Sequence, residues 1–391
     1  MPLPNLKILL SNGGLGRVVP TADATAGLIL SGVAVVDKIQ LLDPRQIFSS
    51  TAMTDLGITE DTNPLAFKEI TAFYNQFGEG AELWVMLVSD ATSLSDICLK
   101  TGVIAPKLLK AAKGTICILG INRVPAAGYT PEITEGLDSD VLQAVMNLDA
   151  LRKEYFDKFQ PFRAILPALG FTKETVGDLH NFRQNSNPGV GVVLGSDNLD
   201  GTCAVAMALG RLASVPVQRN IGRVKSGDVG LLKAYYPDGT PVEALEDAAD
   251  SIHDKGYIFF RTFARMSGFF FNDDPTATRN DDDYCSLSKG RTIDKAATIA
   301  YTTYVVELLD DVEVDNKTGK LPPSLTGYFQ SKIENAISVD MAGEISGVDV
   351  FVDPAQNLLS TDKIAIKLRI IPRGQIKAIE VDLGFTNPLI A

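Results

Sequence analysis

Between residues 26 and 193 the chain alternates two kinds of apolar pattern. Short runs with little polar interruption fall at 27–31, 36–42, 82–88, 115–121, 162–168 and 189–194. Between them, apolar residues recur at three- and four-residue intervals over 64–77, 93–100, 105–113 and 139–158. The first kind predicts strands buried on both faces and the second predicts amphipathic helices. Such strands separated by helices predict a largely parallel α/β sheet covered on both sides. A helix over 203–213, another over 242–254 and a strand over 257–263 complete this core.

After a polar stretch at 272–283, the most loop-like in the chain, the style changes. Two long helices are predicted over 291–310 and 323–343, then strands over 348–353, 362–371 and 376–384. Ile364, Ile366, Leu368 and Ile370 alternate with Ala365, Lys367 and Arg369, as in a strand buried on one face. The last strand sets Ile376, Ala378, Glu380 and Asp382 against Lys377, Ile379, Val381 and Leu383. At the other end, Leu6, Ile8 and Leu10 make a short strand pattern that breaks at Gly13, Gly14 and Gly16. No hairpin partner lies beside it, so a distant segment or another molecule must satisfy its backbone. The expected fold class is α/β: a mixed sheet core flanked by helices, plus a C-terminal α+β module with extended N- and C-terminal arms. The boundaries drawn are an arm at 1–20 and a core at 21–285 with room for an inserted domain around 80–200. A helix-helix-strand assembly module at 286–375 and a second arm at 376–391 complete the chain.

Charge narrows the function classes. A net charge of −12 with no basic face argues against a nucleic-acid partner. The opening residues lack a basic segment followed by a long apolar one, so synthesis and folding in the bacterial cytoplasm are expected. The longest apolar run, 26–36, is about half a membrane span, so no membrane insertion is expected. Cys98, Cys117, Cys203 and Cys285 lie far apart with no CxxC pair, which favours buried reduced thiols over disulfides or zinc.

Catalytic chemistry is hard to find. Of the two histidines, His253 sits near the C-terminal end of a predicted helix, where the dipole favours it, and His180 reads as a polar loop residue. Neither accompanies a nucleophile motif such as GxSxG, nor a metal motif such as HExxH. The best ligand-binding candidate is the turn from Gly195 through Ser196 and Asp197 to Gly201, between an apolar strand and a helix. An α/β sheet holds phosphates at such a place, yet this turn offers acids rather than a glycine-rich cradle. The acidic stretch 273–283 lacks calcium-loop spacing and reads as a solvated loop. No cofactor or metal is expected, and no enzyme activity.

The order of elements resembles the tail sheath proteins of contractile phages and related injection systems. The likeness is carried by Val18-Val19-Pro20 before the first strand, by the stretch 206–219, and by the C-terminal order of two helices and strands. It ends in Ile371-Pro372 with Ile376 and Ile379 after them. The resemblance implies a structural sheath subunit that polymerises as hexameric rings around an inner tail tube and contracts to drive the tube through an envelope. Its partners would be copies of itself, the inner tube protein, and baseplate and terminator proteins. In that family both termini add strands to neighbouring subunits. Here the donated strands would carry Leu6, Ile8, Leu10, Ile376, Ile379, Val381 and Leu383. The receiving strands would carry Val350, Val352, Ile364, Ile366 and Leu368, with hinges at Gly13, Gly14, Gly16 and Gly374. Two other readings stay open: an α/β enzyme with an unrecognised site near Ser196 and Asp197, or another tail or baseplate component.

Overall fold

A computed structural model describes residues 22–386 and divides the chain into two compact units, one reaching Lys295 and the other starting at Ala296. The first unit is built on a seven-stranded sheet. Its strands are β1 (Ala26–Ser31), β2 (Arg45–Ile47), β3 (Leu83–Val88), β4 (Ile118–Asn122), β5 (Arg163–Pro167), β6 (Val190–Val193) and β7 (Tyr257–Ile258). They lie in the order β7-β6-β5-β4-β1-β3-β2. All neighbours run parallel except β2, which pairs antiparallel with β3 at one edge. Every residue of β1 is buried, because the strand is central and both faces are covered. The expected mixed α/β fold is therefore the observed one, and residues 80–200 contribute four strands to this single sheet.

Three helices frame the sheet near the candidate turn and its surroundings: α1 (Pro64–Phe77), α2 (Ser139–Asp157) and α3 (Val205–Ser214). α1 and α3 approach so closely that a Cβ at Gly210 would stand 2.5 Å from the Phe73 carbonyl oxygen. Only a residue without a side chain fits there. α2 is capped by Asp138, whose carboxylate accepts from the Asp140 N–H. Asp140 in turn accepts from the Leu94 and Ser95 N–H groups at 2.6 and 2.9 Å, capping the short helix Leu94–Ile97.

Several expected elements change. The strand over 36–42 is absent apart from one bridge between Leu41 and Leu87. Asp37 takes a positive φ of 58°, and the Val35 N–H reaches back to the Ile39 carbonyl, so the chain turns where the apolar run suggested extension. The helix over 242–254 becomes the 3-10 segment Val242–Ala248, kinked at Leu245, followed by the short helix Ala249–Asp254. The strand over 257–263 divides because the Phe259 N–H donates to Asn272 Oδ1, so Phe260–Arg261 pairs with Phe270–Phe271 in a separate ladder. The helices over 93–100 and 105–113 shorten to Leu94–Ile97 and Ala105–Ala111.

The second unit contains the end of α4 (Leu287–Tyr304), then α5 (Pro323–Asp340) and an antiparallel hairpin of β8 (Ile345–Val352) and β9 (Ile366–Pro372). α4 and α5 are shorter than the predicted 291–310 and 323–343, and a cap from Asp274 starts α4 four residues early. The core is small. Ile333, Ile337 and Met341 are fully buried against Ile345, Val348, Val350, Leu368 and Ile370. Phe329 and Val352 anchor a second cluster with Ile364 and Ile366.

Candidate functional site

The hairpin brings the proposed receiving residues together. Val350 faces Leu368 and Val352 faces Ile366 in register; Ile364 lies just before β9, packed against Leu321, Phe329 and Val352. Their burial alternates along both strands, so one face packs inward while Phe351 and Ile371 on the other are about half exposed. Among the described residues β8 and β9 pair only with each other, which leaves an outer edge on each. One carbonyl, that of Val350, also accepts from Gln330 Nε2 at 3.1 Å. Exposed edges of this kind are templates for a further strand.

Beyond β9 the chain continues without regular structure from 373 to 386. The strand expected over 376–384 does not form within this chain, although Ile379, Val381 and Leu383 alternate with Ala378, Glu380 and Asp382. Ile376, Ile379, Val381 and Leu383 are 75–90% exposed, and Phe385 is fully exposed. Four aliphatic side chains and a phenyl ring held in water are a large standing cost, roughly 1.5–3 kcal/mol each against burial. Gly374 opens the segment, and a Cβ there would meet nothing within 4 Å. Leu6, Ile8, Leu10, Gly13, Gly14 and Gly16 lie outside the described residues.

The competing enzymatic site can be judged at the carboxyl ends of the sheet strands. Ser196 is completely buried, and its hydroxyl donates to the Asn198 carbonyl at 2.9 Å. Asp197 lies 3.3 Å from Lys68 Nζ, which also pairs with Asp200 at 3.0 Å and contacts the Thr202 hydroxyl. Asp200 further accepts from the Thr202 N–H, whereas Asp197 Oδ1 is buried without a hydrogen bond. The first turn of α3, where a phosphate would bind, is occupied by the protein's own Glu69. Its Oε2 accepts from the Ala206 N–H at 2.8 Å. Burial pushes the Glu69 carboxyl up to about 7, against the opposing pull of Lys68. Burial alone would lower the Lys68 ammonium, but Glu69, Asp197 and Asp200 outweigh it and raise it. The cluster sets one ammonium, Lys68, among Glu69, Asp197 and Asp200, and it leaves Glu69 Oε1 and Asp197 Oδ1 buried without a hydrogen bond.

Sequence reading missed Lys68 and Glu69. The signal was present: Glu69 falls in the apolar stripe of Leu65, Ala66, Ile70 and Phe73, where a carboxylate needs a buried partner. The histidines are occupied elsewhere. His180 contacts Glu135 and Asn185, and His253 Nδ1 lies 3.1 Å from Asn272 Nδ2. Cys98 and Cys203 are buried, Cys117 and Cys285 half-buried, and burial raises the Cys203 and Cys117 thiols to about 12. Among the described residues no three potential metal ligands come together, and no helix is long and apolar enough to cross a membrane.

Contrary to expectation, the acidic stretch 273–283 is not uniformly a solvated loop, since Asp273, Asp274, Thr276 and Thr278 are buried. Asp274 Oδ2 accepts from the Ser288 N–H at 3.0 Å and its carbonyl accepts from the Leu287 N–H, so it caps the start of α4.

Residues 3–275 match the family described as DUF2586, N-terminal domain, and residues 283–390 match DUF2586, C-terminal domain. No curated protein matches the chain. Among solved structures, a chain of the anti-feeding prophage (AFP) baseplate, 6-fold symmetrised, superposes with a TM-score of 0.64 at 13% identity, over 99% of this chain and 100% of that one. A chain of the AFP helical sheath in the contracted state gives 0.62 at 13% identity, over 99% of both. A chain of the PVC sheath complex, an extracellular contractile injection system in the contracted state, gives 0.60 at 13% identity, over 98% of both. The chain thus has a sheath-like fold shared with components of contractile injection systems along nearly its whole length.

Proposed function

The chain belongs to the DUF2586 family, and from the sheath-like fold of this member we infer that it is a structural sheath subunit of a contractile tail or injection particle. It polymerises as hexameric rings around an inner tube and shortens to drive the tube through a target envelope. Assembly takes place in the bacterial cytoplasm, with the tube, baseplate and terminator proteins as partners. The observation that carries this reading is the two-stranded hairpin with open edges, succeeded by an apolar segment that has no ladder in its own chain.

The physics of strand donation suits a reversible lattice. Each backbone bond gained is worth about 1 kcal/mol net, and each aliphatic side chain buried roughly 1.5–3 kcal/mol. Ordering the segment costs about 1–2 kcal/mol per residue, so one arm alone is close to balance. Many arms linked in one ring raise the effective concentration and hold the lattice together. Contraction then needs only rigid units turning about flexible joints such as Gly374, and the first arm would add the strand around Leu6, Ile8 and Leu10. The corresponding domain scheme is an arm, an α/β core, an assembly module and a second arm.

A baseplate role is the second reading, supported by the likeness to an AFP baseplate chain. Electron microscopy of purified full-length protein separates the two. Long hollow tubes support the sheath reading, rings that never stack support the baseplate reading, and a chain that stays monomeric under all conditions refutes both. Removing residues 376–391 should leave a folded subunit that forms no tubes.

A further inference from the structure

The acidic excess of this chain is unevenly placed, and contrary to expectation it leaves one basic face. From 97 to 131 there is no aspartate or glutamate, while Lys100, Lys107, Lys110 and Lys113 are all exposed. These lysines lie on and around the short helix Ala105–Ala111, to which the end of α2 is tied by the Tyr155 hydroxyl donating to the Pro106 carbonyl at 3.3 Å. Lys158 stands at that end, over the Tyr155 ring at 5.1 Å. A hydrogen bond from Lys158, helped by the charges of Lys158, Lys100 and Lys110, holds the Glu154 carboxyl below its usual range, so these three lysines surround one carboxylate; Lys107 lies one turn before Lys110 on the same helix. Apolar groups stud it: Val103 is 69% exposed, Phe159 57% and Phe156 36%. Phe159 also takes a φ of 58°, an unfavourable conformation for an aromatic residue. Glu154 and Asp157 are its acidic members, against five lysines.

The opposite composition occurs on the 242–254 run of the same unit. From 234 to 254 there is no lysine or arginine, and Glu243, Glu246, Asp247, Asp250 and Asp254 are all exposed. Val242, Leu245 and Ile252 are buried, so both short segments turn their apolar residues inward and these acids outward. Lys255, next in sequence, gives its ammonium to the Gly177 carbonyl.

We propose that the lysine-rich surface around the helix Ala105–Ala111 and Lys158 docks the acidic 242–254 face of a second copy of this chain. Two different faces of one protein meeting head to tail make a heterologous contact, which closes into a ring or continues as a helix. The apolar groups at Val103, Phe156 and Phe159 supply area at the contact, and the charges set partner and register. This contact rests on the reading of the chain as a self-assembling subunit. It involves the first unit alone and is independent of the terminal arms.

The test uses full-length protein with charges reversed on exposed positions. One variant carries K107E and K110E, the other E246K and D250K, and circular dichroism checks that each is folded. Sedimentation velocity and electron microscopy then track assembly from low salt to about 0.5 M. Each variant alone should need at least about tenfold more protein to assemble, with weaker salt dependence. An equimolar mixture should assemble like the wild type, because every reversed face then meets a complementary one. Variants that assemble like the wild type overturn the proposal while leaving the sheath reading intact. Variants that fail separately and also fail when mixed overturn the pairing, and point to an acidic surface of another protein as the occupant. A wild-type chain that never assembles overturns the sheath reading itself, and this contact with it.

Discussion

Glu69 gives the sharpest quantitative prediction. Its carboxyl is wholly buried between Lys68 and the first turn of α3, with one oxygen bonded to the Ala206 N–H and the other without a hydrogen bond. Burial raises its folded value from 4.5 to about 7. An acid with a raised folded value holds its proton more tightly in the native state than in the unfolded chain. Between about pH 4.5 and 7 the folded protein therefore binds more protons, and stability falls as pH rises through that window. At about 1.4 kcal/mol per pH unit the loss amounts to about 3 kcal/mol, complete above pH 7. Replacing the residue with an isosteric amide, E69Q, keeps an oxygen for the Ala206 N–H and removes the titration. The carboxylates held low, such as Asp200 and Asp315, act at more acid pH and leave the window clear. The single tryptophan, Trp84 in β3, reports unfolding of this unit in urea. The expected result is a wild type that loses about 3 kcal/mol more than E69Q between pH 5 and pH 8. Lys68, which Glu69 helps to hold above its ordinary value, stays charged across this range, so equal losses in the two proteins would refute the reasoning.

Single contacts carry further expectations. Arg163 holds Asp294 through two bonds of 2.6 and 2.7 Å, both side chains being buried; R163A should cost about 3–5 kcal/mol in denaturant unfolding, because a buried carboxylate loses its main counter-charge. G210A should push α1 and α3 apart and cost about 1–3 kcal/mol, visible as a lower Tm. S196A, at a hydroxyl engaged only with its own turn, should leave tube formation unchanged in negative-stain images; loss of tubes would revive a functional role for that turn. Deleting 376–391 should leave the Tm of the subunit within a degree or so while abolishing tubes, because Ile376, Ile379, Val381 and Leu383 are exposed in the single chain.

What could be read from the sequence, and what could not, divides along a physical line. β1 and β3 were plain because central strands of a covered sheet must be apolar on both faces. The turn at Asp37 was hidden by Val35 and Val36, whose apolar character suggested extension although Val36 is 83% exposed. The break after Ile258 depends on Asn272, fourteen residues onward, and the start of α4 on a cap from Asp274; local periodicity carries neither. Lys68 and Glu69 escaped notice because their partners, Asp197 and Asp200 for the one and the Ala206 N–H for the other, lie far along the chain.

The segment 376–384 failed in a different and more informative way. From Ala378 to Leu383 it alternates as a strand does, with Ile379, Val381 and Leu383 on one face and Ala378, Glu380 and Asp382 on the other; Ile376 falls on that second face. Periodicity of two states only that one face is to be buried and that a ladder is to be joined; it does not say whose ladder. β9 finds its partner in β8 of the same chain, whereas 376–384 finds none among the described residues and leaves its apolar side chains in water. Selection for solubility of the free subunit alone would place polar residues there, as it does on the solvent face of β9 at Lys367 and Arg369. A sequence that keeps Ile376, Ile379, Val381 and Leu383 beside an open-edged hairpin is consistent with a strand completed only by another molecule. A structure of the assembled particle that showed these four residues still bare would remove that reason for keeping them.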